Sequence, residues 1–135
     1  MPASPLSEAA LEILRRPNPA VMAVLMPDGH PMSVATWYLV EDDGRVLVNL
    51  DAGRARLEWM RRDGRVSLTV LDGDAWYTHV SLRGHVDEWR DDPDLTDIDR
   101  LSQHYISRPY PNRERGRVSA LIEVEHWHGW GDVQA

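Results

Sequence analysis

The sequence has 135 residues, 42% of them hydrophobic and 27% charged, a length that suits one compact domain and buries a core without disulfides or structural metal. It contains no cysteine and carries a net charge of −7, which excludes disulfide frameworks, thiolate metal sites and cysteine nucleophiles and argues against a general nucleic-acid binder. All 15 basic residues are arginine, so there is no Schiff-base lysine, no Walker-type phosphate lysine and no Ser-Lys dyad.

No apolar run approaches the roughly 20 residues of a membrane span, and the stretch Met1 to Arg16 lacks a signal-peptide core. A cytoplasmic single domain over residues 1–135, with no membrane or nucleic-acid partner, is therefore expected. Ser7 to Arg16 predicts a short helix that lids a sheet, with Ser7 as N-cap, Glu8 at its positive end and Pro17 as its stop. Apolar runs follow at Ala20–Met26, Pro31–Val40 and Arg45–Leu50, separated by Pro27-Asp28-Gly29-His30 and Glu41-Asp42-Asp43-Gly44. These predict three antiparallel strands joined by hairpins. Asp51-Ala52-Gly53 breaks the pattern, and Arg54–Arg62 has the length of a two-turn helix closed by Asp63-Gly64.

Val66–Leu71 predicts another strand and Trp76–Trp89 a long one, with Trp76, Thr78, Val80, Leu82, Gly84 and Val86 on one face. His79 and His85 fall on the other, less buried face. Asp94–Tyr105 carries Leu95, Ile98, Leu101 and Tyr105 at helical spacing. Arg108-Pro109-Tyr110-Pro111-Asn112 is an irregular loop, and the chain ends in a strand over Arg117–Trp127 and a turn at His128-Gly129-Trp130-Gly131. Six strands with few helices and no βαβ alternation predict a closed or nearly closed antiparallel barrel.

Gly53-Arg54-Ala55-Arg56 is the most informative local feature. A strand there runs into a glycine turn and then a helix, whose free N–H groups and positive dipole end coincide with two guanidiniums, in outline an anion site. The competing reading is a solvated helix face with Arg54 paired to Glu58. Neither G-x-x-x-x-G-K-[ST] nor G-x-G-x-x-G occurs, and there is no G-x-S-x-G elbow. His126 and His128 share a strand face, but no H-E-x-x-H or carboxylate cluster completes a ligand set, so no metal is expected. Trp37, Trp76, Trp89, Trp127 and Trp130 fall in or beside strands, where core or dimer packing is the default and a planar cofactor the alternative. Trp59 reads as the anchor of the short helix.

In order and spacing the chain resembles the flavin-binding split β-barrels of the pyridoxamine-phosphate-oxidase-like superfamily, and within it the coenzyme F420-dependent reductases of actinobacteria. The resemblance runs from about Leu6 to Gly131 and is carried by Ala23-Val24-Leu25-Met26-Pro27-Asp28-Gly29-His30-Pro31, Val34-Ala35-Thr36-Trp37-Tyr38, Val46-Leu47-Val48-Asn49, Gly53-Arg54-Ala55-Arg56, Arg61-Arg62-Asp63-Gly64-Arg65-Val66, Arg83-Gly84-His85-Val86 and His128-Gly129-Trp130-Gly131. It implies a mainly β, six-stranded split barrel with short peripheral helices, working as a homodimer with each cofactor in a groove at the interface. Carried over by position, Val34, Thr36 and Trp37 would line the cofactor ring, and Asn49, Arg54 and Arg56 would take its phosphate end. Trp130 would close the site, with His79 as a further contact. The second basic position of the helix, often Lys in relatives, is Arg56 here, which keeps the charge but not the geometry. The activity implied is hydride transfer from F420H2 to a small unsaturated acceptor, with no catalytic side chain assigned. The alternatives are an FMN-dependent oxidoreductase, or a protein that binds F420, FMN or heme without turnover.

Overall fold

Seven strands, one more than the spacing predicts, form a single antiparallel sheet in the computed structural model, which describes residues 6–134. The first five residues of the stretch read for a signal sequence lie outside these. The elements run α1 (Glu8–Leu14), β1 (Ala20–Leu25), β2 (Pro31–Thr36), β3 (Leu39–Val40), β4 (Val46–Asp51), α2 (Ala55–Arg62), β5 (Arg65–Leu71), β6 (His79–Asp91), α3 (Thr96–Ile106), β7 (Arg117–Trp130) and a short 3-10 helix, Gly131–Val133. The strand order is β2-β1-β5-β6-β7-β4-β3, the mainly β architecture of a split barrel with short helices around it. No helix among the described residues is long and apolar enough to cross a membrane.

The extra strand comes from the run Pro31–Val40, which breaks at Trp37-Tyr38. Tyr38 is fully buried and its hydroxyl donates to the Arg16 carbonyl at 3.2 Å, so the chain turns inward there. Consequently β2 pairs with β1 and β3 with β4, and the predicted pairing of Pro31–Val40 with both neighbours is shared between two strands at opposite edges of the sheet. Two boundaries also differ from expectation. β6 begins at His79, because Trp76–Thr78 sit in a turn where Asp72 N–H donates to the Thr78 carbonyl at 2.9 Å and Trp76 is 68% exposed. β7 continues through His128 and Gly129 to Trp130, and the turn follows at Gly131, whose φ of 66° and lack of a Cβ let it lie against Thr78.

Ser7 caps α1 as expected, accepting from Ala10 N–H at 3.2 Å. Ala10, Ile13 and Leu14 of α1 and Leu57 and Met60 of α2 close over the main core, which includes Met22, Val48, Val70, Val80, Leu82 and Ile122. Each side chain of this size removed from water contributes roughly 1.5–3 kcal/mol. At Gly84 an added Cβ would collide with the Glu123 carbonyl, beside the bulge between Arg83 and Gly84 that bends β6 against β7.

β4 is buried on both faces at Val46, Leu47 and Val48. Val48 and its strand partner Ala120 face the main core, whereas Ser119, one residue off that face on β7, donates to Asp97 of α3 at 2.7 Å. The outer face of β4 and β7 is therefore the one that α3 covers, with Leu95, Ile98 and Leu101 forming a second cluster against Trp37, Leu39 and Tyr110.

Candidate functional site

Under α3 lies a groove of about 590 Å³, lined by Thr36, Trp37, Asn49, Tyr105, Tyr110 and Arg117 among others. Trp37 stacks on Tyr105, with ring centroids 5.4 Å apart and planes 11° off parallel, and Tyr110 meets Trp37 edge-on at 6.1 Å. The Tyr105 hydroxyl donates to the Asn18 carbonyl at 2.8 Å, tying this wall to the end of α1. Burial holds the Tyr105 phenol well above the ordinary tyrosine range, so it remains a donor.

A chain of polar contacts crosses the groove floor. Asp97 is 6% exposed, and burial alone would raise its pKa, but the hydrogen bonds from Arg90 at 2.9 Å and Ser119 at 2.7 Å outweigh it and hold the carboxyl below the usual range. The Ser119 hydrogen is thereby committed to Asp97, and its oxygen accepts from Asn49 Nδ2 at 2.9 Å. Asn49 also donates to Asp92 at 3.2 Å, which leaves its Oδ1 to accept from Arg117 Nε at 2.9 Å. Asp92 in turn accepts from the N–H groups of Asp97 and Ile98, capping the start of α3. The Arg117 guanidinium lies over the Tyr110 ring, 5.0 Å from its centroid.

At the same end of the sheet, the junction of β4 and α2 holds a second cationic group. Arg54 occupies the N-cap position with extended backbone and no side-chain cap; its carbonyl accepts from Leu57 N–H at 3.1 Å, and its side chain offers the N–H groups of Ala55 and Arg56 no acceptor. Among the described residues neither Arg54 nor Arg56 has an ion-pair partner, and the alternative Arg54–Glu58 pair is not formed. Arg56 Nε is buried without a hydrogen-bond partner. Burial first, and then the like charge of Arg54, lower the pKa of Arg56. The neighbouring acid, Asp51, is already bonded to Arg115 and to Gly53 N–H at 2.8 Å. Gly53 N–H and then Arg115 keep that carboxyl below the usual range against the opposing effect of burial.

The structure thus brings Thr36, Trp37 and Asn49 into one groove and sets Arg54 and Arg56 at the adjacent helix start. Val34 is not among the residues that line the groove, although strand alternation puts it on the same face of β2 as Thr36, which does. His79 and Trp130 are strand partners stacked at 5.7 Å, at the opposite end of β7 from Arg117 and beside the exposed Trp76 and Tyr77. Sequence reasoning missed Arg117, Tyr105 and Tyr110 as site residues. The available signal was Asn49, a polar residue breaking the apolar run Val46–Leu50. The histidines weighed for metal, His126 and His128, gather no ligand set among the described residues. His85, Asp87 and Glu123 do bring ligand-type atoms within 4.8 Å of one another, but Arg45 already bonds Asp87 at 3.1 Å.

The family model described as pyridoxamine 5'-phosphate oxidase matches residues 6–131 of the chain. Among solved structures, an F420 reductase superposes with a TM-score of 0.80 at 22% identity, over 90% of this chain and 97% of that one. A conserved hypothetical protein from Mycobacterium tuberculosis superposes with a TM-score of 0.71 at 26% identity, over 93% and 85%. General Stress Protein 26 from Bacillus anthracis gives 0.67 at 15% identity, over 91% and 92%. No curated protein matches the chain in sequence.

Proposed function

Because the chain belongs to the pyridoxamine 5'-phosphate oxidase family, we propose that it is an oxidoreductase that transfers a hydride from the reduced deazaflavin F420H2 to a small unsaturated organic acceptor. The observation that carries this reading is the pair Arg54 and Arg56, uncompensated at a helix start with Arg56 Nε buried and unbonded. A buried N–H donor without a partner is costly, and a phosphate supplies the missing acceptor. Two such cations suit a cofactor with an acidic tail beyond its phosphate, as in F420, and they would equally serve the nearly dianionic phosphate of FMN, the alternative cofactor.

In this reading Arg54, Arg56 and the first-turn N–H groups of α2 hold the phosphate and tail, and Thr36, Trp37 and Asn49 line the ring. The bound deazaflavin supplies the hydride. The chain's own residues do the rest: the Trp37–Tyr105 stack excludes water from one side, and the Asn49–Ser119–Asp97 chain holds the floor rigid. A nucleophile or paired carboxylate is not required. The reading includes a homodimer with the cofactor between subunits. Trp76, Tyr77 and Trp130 are exposed aromatics at the opposite end of β7 from Arg117, and burial against a second copy would bring them and His79 to a cofactor.

The test is a parallel titration with F420, FMN and heme, followed by fluorescence quenching and absorbance. F420 should bind, and Arg54→Ala and Arg56→Ala should each weaken it about 10- to 150-fold, the equivalent of about 1.5–3 kcal/mol for a charged hydrogen bond. Unchanged affinity in both variants would place the phosphate elsewhere, and tighter binding of FMN would replace F420. Oxidation of F420H2 only when an enone is added separates an enzyme from a carrier.

A further inference from the structure

We infer that the groove under α3 selects a flat, conjugated acceptor bearing a carboxylate, and that Arg117 is the residue that recognises the carboxylate. The inference rests on the proposed function, with Thr36, Trp37 and Asn49 edging the cofactor ring and the acceptor lying beside that ring in the same groove, at its Arg117 end. Arg117 is the one charged side chain among the described residues that line it; the remainder are chiefly aromatic and apolar. A volume of about 590 Å³ lies in the range of small-molecule sites. The parallel Trp37 and Tyr105 rings, with Tyr110 edge-on, present flat surfaces that suit a planar body.

The orientation of Arg117 is set before any ligand arrives. Its Nε is held by Asn49 Oδ1 and one face is held by the Tyr110 ring, so the edge carrying the two terminal nitrogens remains, with only a 3.5 Å approach from Nη2 to the Asn49 carbonyl. That edge offers two parallel N–H donors, the match for a planar carboxylate. Among the described residues no acid is bonded to that edge, although the Asp51 charge is close enough to feel Arg117. Asp51 is bonded to Arg115, Asp92 to the α3 N–H groups and Asn49, and Asp97 to Arg90, Arg100 and Ser119. An amide of the same shape offers one acceptor where a carboxylate offers two and sets its NH2 against the second N–H donor, so it gains little from the guanidinium.

The test uses the full-length protein and two probes of one shape, trans-cinnamate and trans-cinnamamide, with binding measured by calorimetry. Cinnamate should bind at least about 10-fold more tightly than the amide. Arg117→Met should weaken cinnamate about 10- to 100-fold and leave the amide within about twofold, while Arg117→Lys restores only part of the preference. Thermal melting reports folding, and if Arg117→Met does not fold, Arg117→Gln carries the same comparison. Equal affinity of the parent for both probes, or a preference that survives loss of the guanidinium, overturns the inference. No cofactor is needed, so a cinnamate preference without F420 or FMN binding would sink the cofactor reading alone. Cofactor binding without the preference would sink this inference alone.

Discussion

Arg117 and the pair Arg54 and Arg56 lie at the same end of the sheet and carry the same charge, yet the fold treats them differently. Arg117 is fixed by Asn49 and Tyr110, and behind Asn49 stand Ser119, Asp92 and Asp97. Among the described residues no hydrogen bond or ion pair fixes the Arg54 or Arg56 side chain, and Arg56 has a buried nitrogen without a partner. The first arrangement is preorganised for one shape of anion; the second holds unsatisfied positive charge that a flexible polyanion can satisfy in several ways. The contrast separates recognition by geometry from recognition by charge within one small domain.

The strongest way to break the contrast is Asp97→Ala, which leaves the fully buried Ser119 hydroxyl and the Arg90 guanidinium without their acceptor. A loss of roughly 2–3 kcal/mol in urea unfolding is expected, with the cinnamate preference reduced and F420 affinity kept. An equal fall in F420 affinity would show that the two regions are one unit. Acid should act in the same direction with smaller effect. Asp97 is held below the usual range by Arg90 and Ser119 against burial, and Asp99 is held down chiefly by Arg113. Depressed carboxylates stabilise above their unfolded pKa of about 3.9 and lose that contribution as pH falls through the folded value. The near-ultraviolet circular dichroism of Trp37, Tyr105 and Tyr110 should therefore change below about pH 4.

Salt sharpens the comparison further. Raising ionic strength from about 0.05 to about 0.5 M should weaken F420 at the exposed α2 start severalfold and cinnamate at Arg117 by less, since screening acts most on exposed charge. The smallest effect is expected from Arg56→Met in the free protein. Removing a buried nitrogen that has no partner should leave stability within about 0.5 kcal/mol of the parent or slightly above it in thermal melting.

The elements with local causes were legible in the sequence. Ser7 and Pro17 bound α1, Gly29 and Gly44 mark real turns at positive φ, and the helix after Gly53 begins within a residue of expectation. The break at Trp37-Tyr38 was not, because it depends on a hydroxyl reaching a carbonyl 22 residues away. Two strands at opposite edges look continuous when only β propensity is read. In the site, Thr36, Trp37 and Asn49 were named from resemblance and the structure gathers them into one groove, whose lining does not include Val34 although it shares a strand face with Thr36. Arg117 was invisible for a different reason. As the first residue of a strand it reads as a boundary, and its role follows only from Asn49, 68 residues earlier.

The turn at Trp37-Tyr38 also decides how this sheet can be assembled. Two residues join β2 to β3, the two outermost strands, so the covalent chain itself draws the sheet edges together. The hairpins β1–β2 and β3–β4 each form from neighbours, but they are connected through the sheet only by β5, β6 and β7, with pairings as distant as Ala20 with Val70 and Val46 with Ile122. Closure must wait for the last third of the chain, which places folding among the slow, high-contact-order topologies of milliseconds to seconds. A single nick between Trp37 and Tyr38 would remove no ladder hydrogen bond, yet it would cut the covalent strap that holds the two edge strands near each other.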